Sequence, residues 1–366
     1  MTCAIVGIGV LALPYSVAYL GWIAGPLLIF FFYVVAVFSS RLLARVYLVQ
    51  GRVHSRYHHA VRDILGRRQA IILSIIQMTM LLLVMIAYAI TGGISVAQVA
   101  NTACTFEGKS LDEISNDSSC FGLNAGGTWK GILVFGAAEL LLSQIRNLEE
   151  SSLGSLIGSV CALAYSLVAI CLSFANLNSG AGSLQGIHDI SAANKVFGVF
   201  NALGAIASSF SVSLVLLEVQ DTLKQPPSPS KQMCRTINIS LTFAFVLYML
   251  VGCSGYASQG DNVEGIILDS FESPRWALLV GYCAVLLHML TAFQIFAQAV
   301  FDTCESHIKY WLLRKTWDKS KIKSTGNDQN ETMVGIQEEG EAEEQVAPLQ
   351  LEDRTWTQCL GFEHIH

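Results

Sequence analysis

Residues 1–40 decide the fold of this chain, and they read MTCAIVGIGVLALPYSVAYLGWIAGPLLIFFFYVVAVFSS. None of them is Asp, Glu, Lys, Arg or His. As one straight helix the run would be about 60 Å long, roughly twice the thickness of a bilayer core. It therefore has to fold back on itself, and Gly21-Trp22, with Pro26 close behind, allows only a tight hairpin. We predict two transmembrane helices here, at residues 1–20 and 22–48.

The composition of the whole chain agrees with membrane insertion. Of its 366 residues, 52% are hydrophobic and only 14% are charged, whereas soluble domains carry about 25% charged residues. Further apolar windows long enough for a span lie at residues 69–99, 131–145, 151–174, 197–217, 237–256 and 276–300. The prediction is an all-α, polytopic protein with about eight transmembrane helices in a lipid bilayer. A nucleic-acid-binding protein is excluded, because no basic domain is present.

The distribution of Lys and Arg predicts the orientation. The loops at residues 41–68, 146 and 224–235, together with residues 309–323, hold seventeen basic residues, and the opposite set of loops holds four. Cytoplasmic loops are enriched in Lys and Arg. Both termini are therefore expected in the cytoplasm, with the plasma membrane as the default location.

Two of the ten cysteines, Cys104 and Cys120, fall in the non-cytoplasmic loop at residues 101–129. Because disulfides form on the oxidising side of a membrane, we predict a Cys104–Cys120 disulfide, with two free thiols as the alternative.

The composition changes after residue 305. Residues 309–323 are basic and are expected to lie against anionic lipid. From residue 324 the chain is acidic and lacks apolar periodicity, which is typical of disorder. Two parts are therefore predicted: a transmembrane domain at residues 1–305 and a cytoplasmic, basic-then-acidic disordered tail at 306–366.

The first span contains the sequence GIGVLALP at residues 7–14. Gly7 and Gly9 weaken a helix, and Pro14 cannot donate a hydrogen bond to the carbonyl near Val10. A break at this point would expose backbone N–H groups that suit an anionic carboxylate. The alternative is close packing of a neighbouring helix on small residues.

The sixth span contains a second interruption, GAIASSFSVS at residues 204–213. Ser208, Phe210 and Ser211 are the candidate lining residues, although serines in spans often bond only to their own helix. Paired interrupted spans, one in each half of a chain, indicate the binding site of a secondary transporter. The first and sixth spans are five apart, as a five-plus-five inverted repeat requires.

Ionisable groups within the spans are the next candidates. Glu139, His288 and Glu218 are expensive in lipid and should face protein or water. His288 can change its charge near physiological pH and is a candidate for proton coupling. The alternative is a neutral imidazole bonded to a carbonyl. No metal site, cofactor or enzymatic motif is expected.

Several motifs resemble the amino acid/auxin permease family, especially the plant-type amino acid permeases. They are GIGVLALP at residues 7–14, AYLGWIAGP at 18–26, LLLSQI at 140–145, ALGAIA at 202–207, LLEVQDT at 216–222, YMLVGCSGYA at 248–257, and His288 followed by Ala292, Phe293, Gln294 and Gln298. They stand in the family's order over residues 5–305.

This resemblance implies a LeuT-like fold and proton-coupled import of amino acids. The amides near Gly7 and Gly9 would hold the substrate carboxylate, and Ser208, Phe210 and Ser211 would line the amine and side-chain region. Tyr88 would form a wall of the site. His288 and Gln294 would face the coupling path, while Glu139 stands where the family pattern leads us to expect an amide.

The family has about eleven spans, so the resemblance also implies that the second repeat of this chain is incomplete. This leaves three functional hypotheses, of which the third is nutrient sensing without transport, with the same pocket and signalling through the tail. The first is a proton-coupled amino acid symporter that works by alternating access. The second is a truncated, non-transporting relative that acts as a partner or regulator of full-length permeases.

Overall fold

Helices make up most of the chain that the structure, a computed structural model, describes. The described residues are 5–7, 9–49, 52–54, 56–106, 125–144, 152–177, 182–187, 190–221, 223 and 228–323. Their helices are α1 (Gly9–Val46), α2 (Tyr57–Leu65), α3 (Arg67–Phe106), α4 (Ala125–Leu142), α5 (Ser152–Ala175), α6 (Ala192–Ser209), α7 (Leu216–Asp221), α8 (Pro229–Gln259) and α9 (Arg275–Lys323). Strands β1 (Leu48–Val49) and β2 (Arg52–Val53) form a short antiparallel hairpin before α2.

The predicted hairpin between the first two spans is present inside α1. Gly21 has φ 79° and ψ 175°, which interrupts the helix and favours glycine. A methyl group placed on Gly25 would lie 3.3 Å from the Val17 Cα, although residues eight apart in a continuous helix are separated by about 12 Å. The chain therefore reverses at Gly21.

The other predicted spans coincide with α3, α4, α5, α6 together with α7, α8 and α9. By length and composition, five described helices could cross a membrane: Gly9–Val46, Arg67–Cys104, Gly154–Ala175, Pro229–Asn262 and Arg275–Phe301. The all-α, polytopic architecture is confirmed, whereas the number of eight spans stays a prediction.

The helices pack through small residues and leave large apolar side chains on the outside. A methyl group on Gly131 of α4 would lie 2.1 Å from the Gly93 carbonyl oxygen of α3, so these helices approach as closely as their backbones allow. On the outer surface, Leu83 is 55% exposed and Phe197 is 73% exposed. An apolar exterior around an apolar core is expected of a bundle whose solvent is lipid.

The two ends of the bundle join different sets of loops. At one end, Tyr47 Oη donates to Asp221 Oδ1 at 2.8 Å, and Gln220 Nε2 donates to the Ala44 carbonyl at 3.0 Å. At the other end, the Ile187 N–H donates to the Ala18 carbonyl at 3.0 Å. These pairings group the loops as the distribution of basic residues predicts.

The basic segment after residue 305 continues α9 as far as Lys323. The helix therefore extends beyond the predicted end of the transmembrane domain. Residues 324–366 lie outside the described residues, so the disordered tail stays a prediction for that segment.

Candidate functional site

The first span is interrupted before α1 begins at Gly9. The Gly7 N–H donates to the Ile5 carbonyl at 3.0 Å, and the Val10 N–H donates to the Gly7 carbonyl at 3.3 Å. These short bonds differ from the regular i to i−4 pattern of an α-helix. The predicted break is therefore present around Gly7, and the helix continues through the buried Pro14.

The sixth span is interrupted where α6 ends at Ser209. Phe210 has φ −104° and ψ 15°, and its N–H donates to the Ala207 carbonyl. A single 3₁₀ turn, Val212–Leu214, follows before α7 begins at Leu216. The second predicted break is therefore present, at residues 210–215.

The two breaks meet at Gly9 and Ser209. A methyl group placed on Gly9 would lie 2.4 Å from the Ser209 Oγ and 3.3 Å from its Cβ. A side chain at position 9 would therefore push the two breaks apart. Ser209 was not among the residues that the sequence singled out, although both of its neighbours in the Ser208–Phe210 stretch were.

Tyrosine hydroxyl groups surround the first break. Tyr165 Oη of α5 donates to the Gly7 carbonyl at 3.1 Å, and Tyr248 Oη of α8 contacts the Ile5 carbonyl at 2.7 Å. Tyr88, a predicted wall residue, lies so close that a methyl group on Gly7 would be 3.2 Å from its hydroxyl oxygen. Tyr165 and Tyr248 were missed, although a tyrosine in an apolar span needs a hydrogen-bond partner.

The predicted lining residues of the sixth span lie in different surroundings. Ser208 is exposed and its Oγ donates to the Ala205 carbonyl at 3.0 Å, while Ser211 Oγ donates to the Ser208 carbonyl at 2.6 Å. Both hydroxyls thus bond to their own segment. Phe210 is buried, and its ring meets that of Tyr248 edge to face at 5.0 Å between centroids.

Two of the predicted coupling residues are in direct contact. Glu139 of α4 is only 4% exposed, and Gln294 Nε2 of α9 donates to its Oε2 and also, at 3.3 Å, to its backbone carbonyl. The second carboxyl oxygen, Oε1, is buried and has no hydrogen-bond partner among the described residues. A carboxyl group at this depth is costly in lipid, and here it faces the protein interior.

His288 lies on the other side of α9, against α5. Its Nδ1 is 2.8 Å from the Gly158 carbonyl oxygen, which can only accept, so Nδ1 carries a proton. The opposite nitrogen, Nε2, is buried, and no residue in the described part of the chain hydrogen-bonds to it. The ring lies edge-on to Tyr165, with 5.7 Å between centroids. This is the carbonyl-bonded arrangement that the sequence left open as the alternative to a coupling role.

Two further predictions fall wholly or partly outside the described residues. Glu218 belongs to α7, but its side chain is not described. Cys120 also lies outside the described residues, while Cys104 stands near the end of α3. The Cys104–Cys120 disulfide therefore stays a prediction.

These features define a class of protein: a polytopic helical membrane protein in which two interrupted helices meet inside the bundle. The family model described as transmembrane amino acid transporter protein matches residues 1–344. The chain therefore belongs to that family.

Individual relatives agree with this assignment. The chain is 34% identical to amino acid permease 2 of Arabidopsis thaliana over 316 residues, which are 83% of this chain and 62% of the relative. It is 34% identical to amino acid permease 4 over 82% of this chain and 65% of the relative. It is 28% identical to lysine histidine transporter-like 4 over 84% and 66%. The chain thus spans less than two thirds of the length of each. No solved structure matches it.

Proposed function

We propose that this chain is a secondary active amino acid transporter that works by proton-coupled symport and alternating access. The observation that carries the proposal is the contact of the two helix breaks at Gly9 and Ser209. Interrupted helices inside a membrane bundle are tolerated where they line a cavity or a site. Family membership supplies the substrate class, since the relatives are named amino acid permeases and a lysine histidine transporter-like protein. The comparisons give no support to a non-transporting partner of full-length permeases.

The substrate would bind between the two breaks. Backbone N–H groups around Gly7, Gly9 and Val10 would receive its carboxylate, which is the charge that a helix N-terminus favours. Ser208 and Ser211 each donate their proton to their own segment. Their oxygen lone pairs stay available to accept from an ammonium group.

The walls of the proposed site would be aromatic. Tyr88 borders Gly7, and Phe210 covers the buried end beside Tyr248. We add Ser209 to the residues of the proposed site, because it meets Gly9 at the first break.

Proton coupling would depend on the buried groups along α9. The Glu139–Gln294 contact offers a carboxyl group that can exchange a proton without leaving its amide partner. His288 offers a buried Nε2 to which none of the described residues hydrogen-bonds, with its ring beside Tyr165. Glu218 would serve as a gate residue at the cytoplasmic end. Cytoplasmic termini are part of the same proposal and are supported by the distribution of basic residues. The plasma membrane is proposed as the default location, and the Cys104–Cys120 disulfide is proposed because its loop would then lie on the oxidising side.

The test is uptake of labelled amino acids by cells expressing this chain, at about pH 5.5 and about pH 7.5, which lie on either side of the ordinary pKa of imidazole. We expect uptake that is higher at acid pH and that falls when an ionophore collapses the proton gradient. Glu139→Gln keeps the shape of the side chain and removes its ionisation, so its uptake should lose the dependence on pH.

Glu272→Gln is the matched control, because Glu272 is exposed in a loop, and its uptake should keep the pH dependence. Wild-type protein inserted in the membrane with no uptake above untransfected cells at either pH would refute transport. If uptake by Glu139→Gln depends on pH as strongly as wild-type uptake does, the role of Glu139 is refuted but transport itself is not.

A further inference from the structure

Tyr248 stands between the two interrupted helices without belonging to either. It lies on α8, its side chain is fully buried, and its hydroxyl oxygen is 2.7 Å from the Ile5 carbonyl oxygen and 3.0 Å from the Ser209 carbonyl oxygen. Ile5 precedes the first break, and Ser209 is the last residue of α6 before the second. One hydroxyl group therefore contacts a carbonyl on each broken segment.

The chemistry of this contact makes it sensitive to movement. A tyrosine hydroxyl has a single proton, which it shares between two carbonyls only while both stay within about 3.2 Å. A shift of either segment by an ångström or more leaves one carbonyl, or both, without this donor. The contact consequently stabilises the arrangement in which the two breaks lie side by side.

In the conformation in which the two breaks lie side by side, the loop at residues 263–271 closes one end of the bundle. The loop at residues 263–271 inserts Ile267 and Leu268, which are both fully buried. A methyl group on Gly255 of α8 would be 3.2 Å from Ile267 Cδ1, and one on Gly281 of α9 would be 3.3 Å from Leu268 Cδ1. Gly255 lies two turns beyond Tyr248 on α8, so one helix carries both the hydroxyl contact and part of the seal.

We infer that Tyr248 is a positioning residue that couples the two helix breaks and favours the conformation closed at the 263–271 loop. The inference rests on the proposed function, because it assigns Tyr248 a part in alternating access. Loss of the hydroxyl group removes the shared bond and leaves the aromatic packing against Phe210 in place. The equilibrium should then move toward the conformation open at that loop.

The chain offers a matched control. Tyr33 of α1 contacts Thr242 Oγ1 of α8 through its hydroxyl at 2.8 Å, on the exposed surface of the bundle. Tyr33→Phe therefore removes a hydroxyl contact between α1 and α8 that lies away from both breaks. Tyr165→Phe is a second comparison, since Tyr165 donates to the Gly7 carbonyl at the first break.

The experiment measures how fast a water-soluble maleimide reacts with Ile267→Cys in purified protein held in lipid nanodiscs, where both faces are accessible. The reaction is followed by mass spectrometry of the peptide that contains residue 267, so that native cysteines do not contribute. Net loss of one hydrogen bond shifts such an equilibrium about two- to tenfold. Each substitution is combined with Ile267→Cys. We expect Tyr248→Phe to raise the labelling rate by that factor and Tyr33→Phe to leave it unchanged. Tyr165→Phe should raise it less than Tyr248→Phe does.

Uptake is measured on the same variants, and Tyr248→Phe should lower the KM for external substrate in proportion to the labelling change. Unchanged labelling in Tyr248→Phe would overturn the inference. An equal rise in Tyr33→Phe would overturn it too, because it would show general loosening of the α1–α8 contact. If Tyr248→Phe raises the labelling rate but the wild-type protein takes up no amino acid, the proposed function is refuted and the coupling of the two breaks stands.

Discussion

At the scale of single residues, the close contact between the two breaks requires glycine, which has no side chain. Gly9 meets Ser209 so closely that a methyl group would come within 2.4 Å of the Ser209 Oγ. Gly204, on the same helix as Ser209, has nothing within 4 Å of the corresponding position. An alanine at position 9 therefore tests the contact between the two breaks. An alanine at position 204 serves as its control, because it adds a methyl group to α6 without such a clash.

We predict that Gly9→Ala destabilises the protein by about 1–3 kcal/mol, the usual cost of overpacking, and abolishes uptake, whereas Gly204→Ala is neutral or slightly stabilising. The thermal midpoint in detergent measures stability. Ser209→Gly removes the clashing atoms, so the double variant Gly9→Ala with Ser209→Gly should recover most of the lost midpoint. No recovery would show that the strain lies elsewhere.

At the scale of helices, the α1–α8 interface is arranged around Pro14. A methyl group on Gly255 would lie 2.5 Å from the Pro14 Cγ and 2.7 Å from its Cβ. The proline ring is tied to the backbone and has little room to move. Gly252, one turn earlier on α8, would meet only ordinary contacts of 3.5 Å or more, with Ile29, Val17 and Leu13.

Gly255→Ala should therefore separate α1 from α8 and lower the free energy of unfolding by about 1–3 kcal/mol. Gly252→Ala should be neutral or raise it by up to about 1 kcal/mol, because alanine is the better helix former. Thermal unfolding of wild type and of both variants under the same conditions measures these changes in stability. Equal effects of both substitutions would contradict the described interface.

At the scale of the whole molecule, the exposed surface is of two kinds. Leu83 is 55% exposed in the middle of α3, where lipid is the expected neighbour. Asn262 and Ser228 are exposed in loops at the two ends of α8. A bilayer keeps water-soluble reagents away from Leu83 and leaves Asn262 and Ser228 accessible to them.

We expect Leu83→Cys to react with a water-soluble maleimide only after the membrane is dissolved and the chain unfolded. On intact cells Asn262→Cys should react at once, and Ser228→Cys only after permeabilisation, because the basic loops are predicted to be cytoplasmic. Labelling is quantified relative to the parent protein. The opposite order for the two loop positions would reverse the predicted orientation.

The distribution of particular residue types in the sequence determined the class of fold and the places where it is interrupted. Forty uncharged residues cannot lie outside a membrane or cross it once, so the reversal at Gly21 follows from length and charge alone. Glycine and proline in the first span, and glycine with serine in the sixth, weaken a helix locally. Both interruptions could therefore be predicted.

The tertiary structure alone decided which side chains meet at those interruptions. Ser209 continues the buried face of α6 that Ala202 and Ile206 begin, while its neighbour Ser208 is exposed. Helical spacing identifies that face, but only the packing of the helices brings Ser209 against Gly9 of the first span. The contacts of Glu139 with Gln294, and of Tyr248 with Ile5 and Ser209, join residues 39 to 243 positions apart. Such pairs depend on how the helices pack, which a local pattern does not contain.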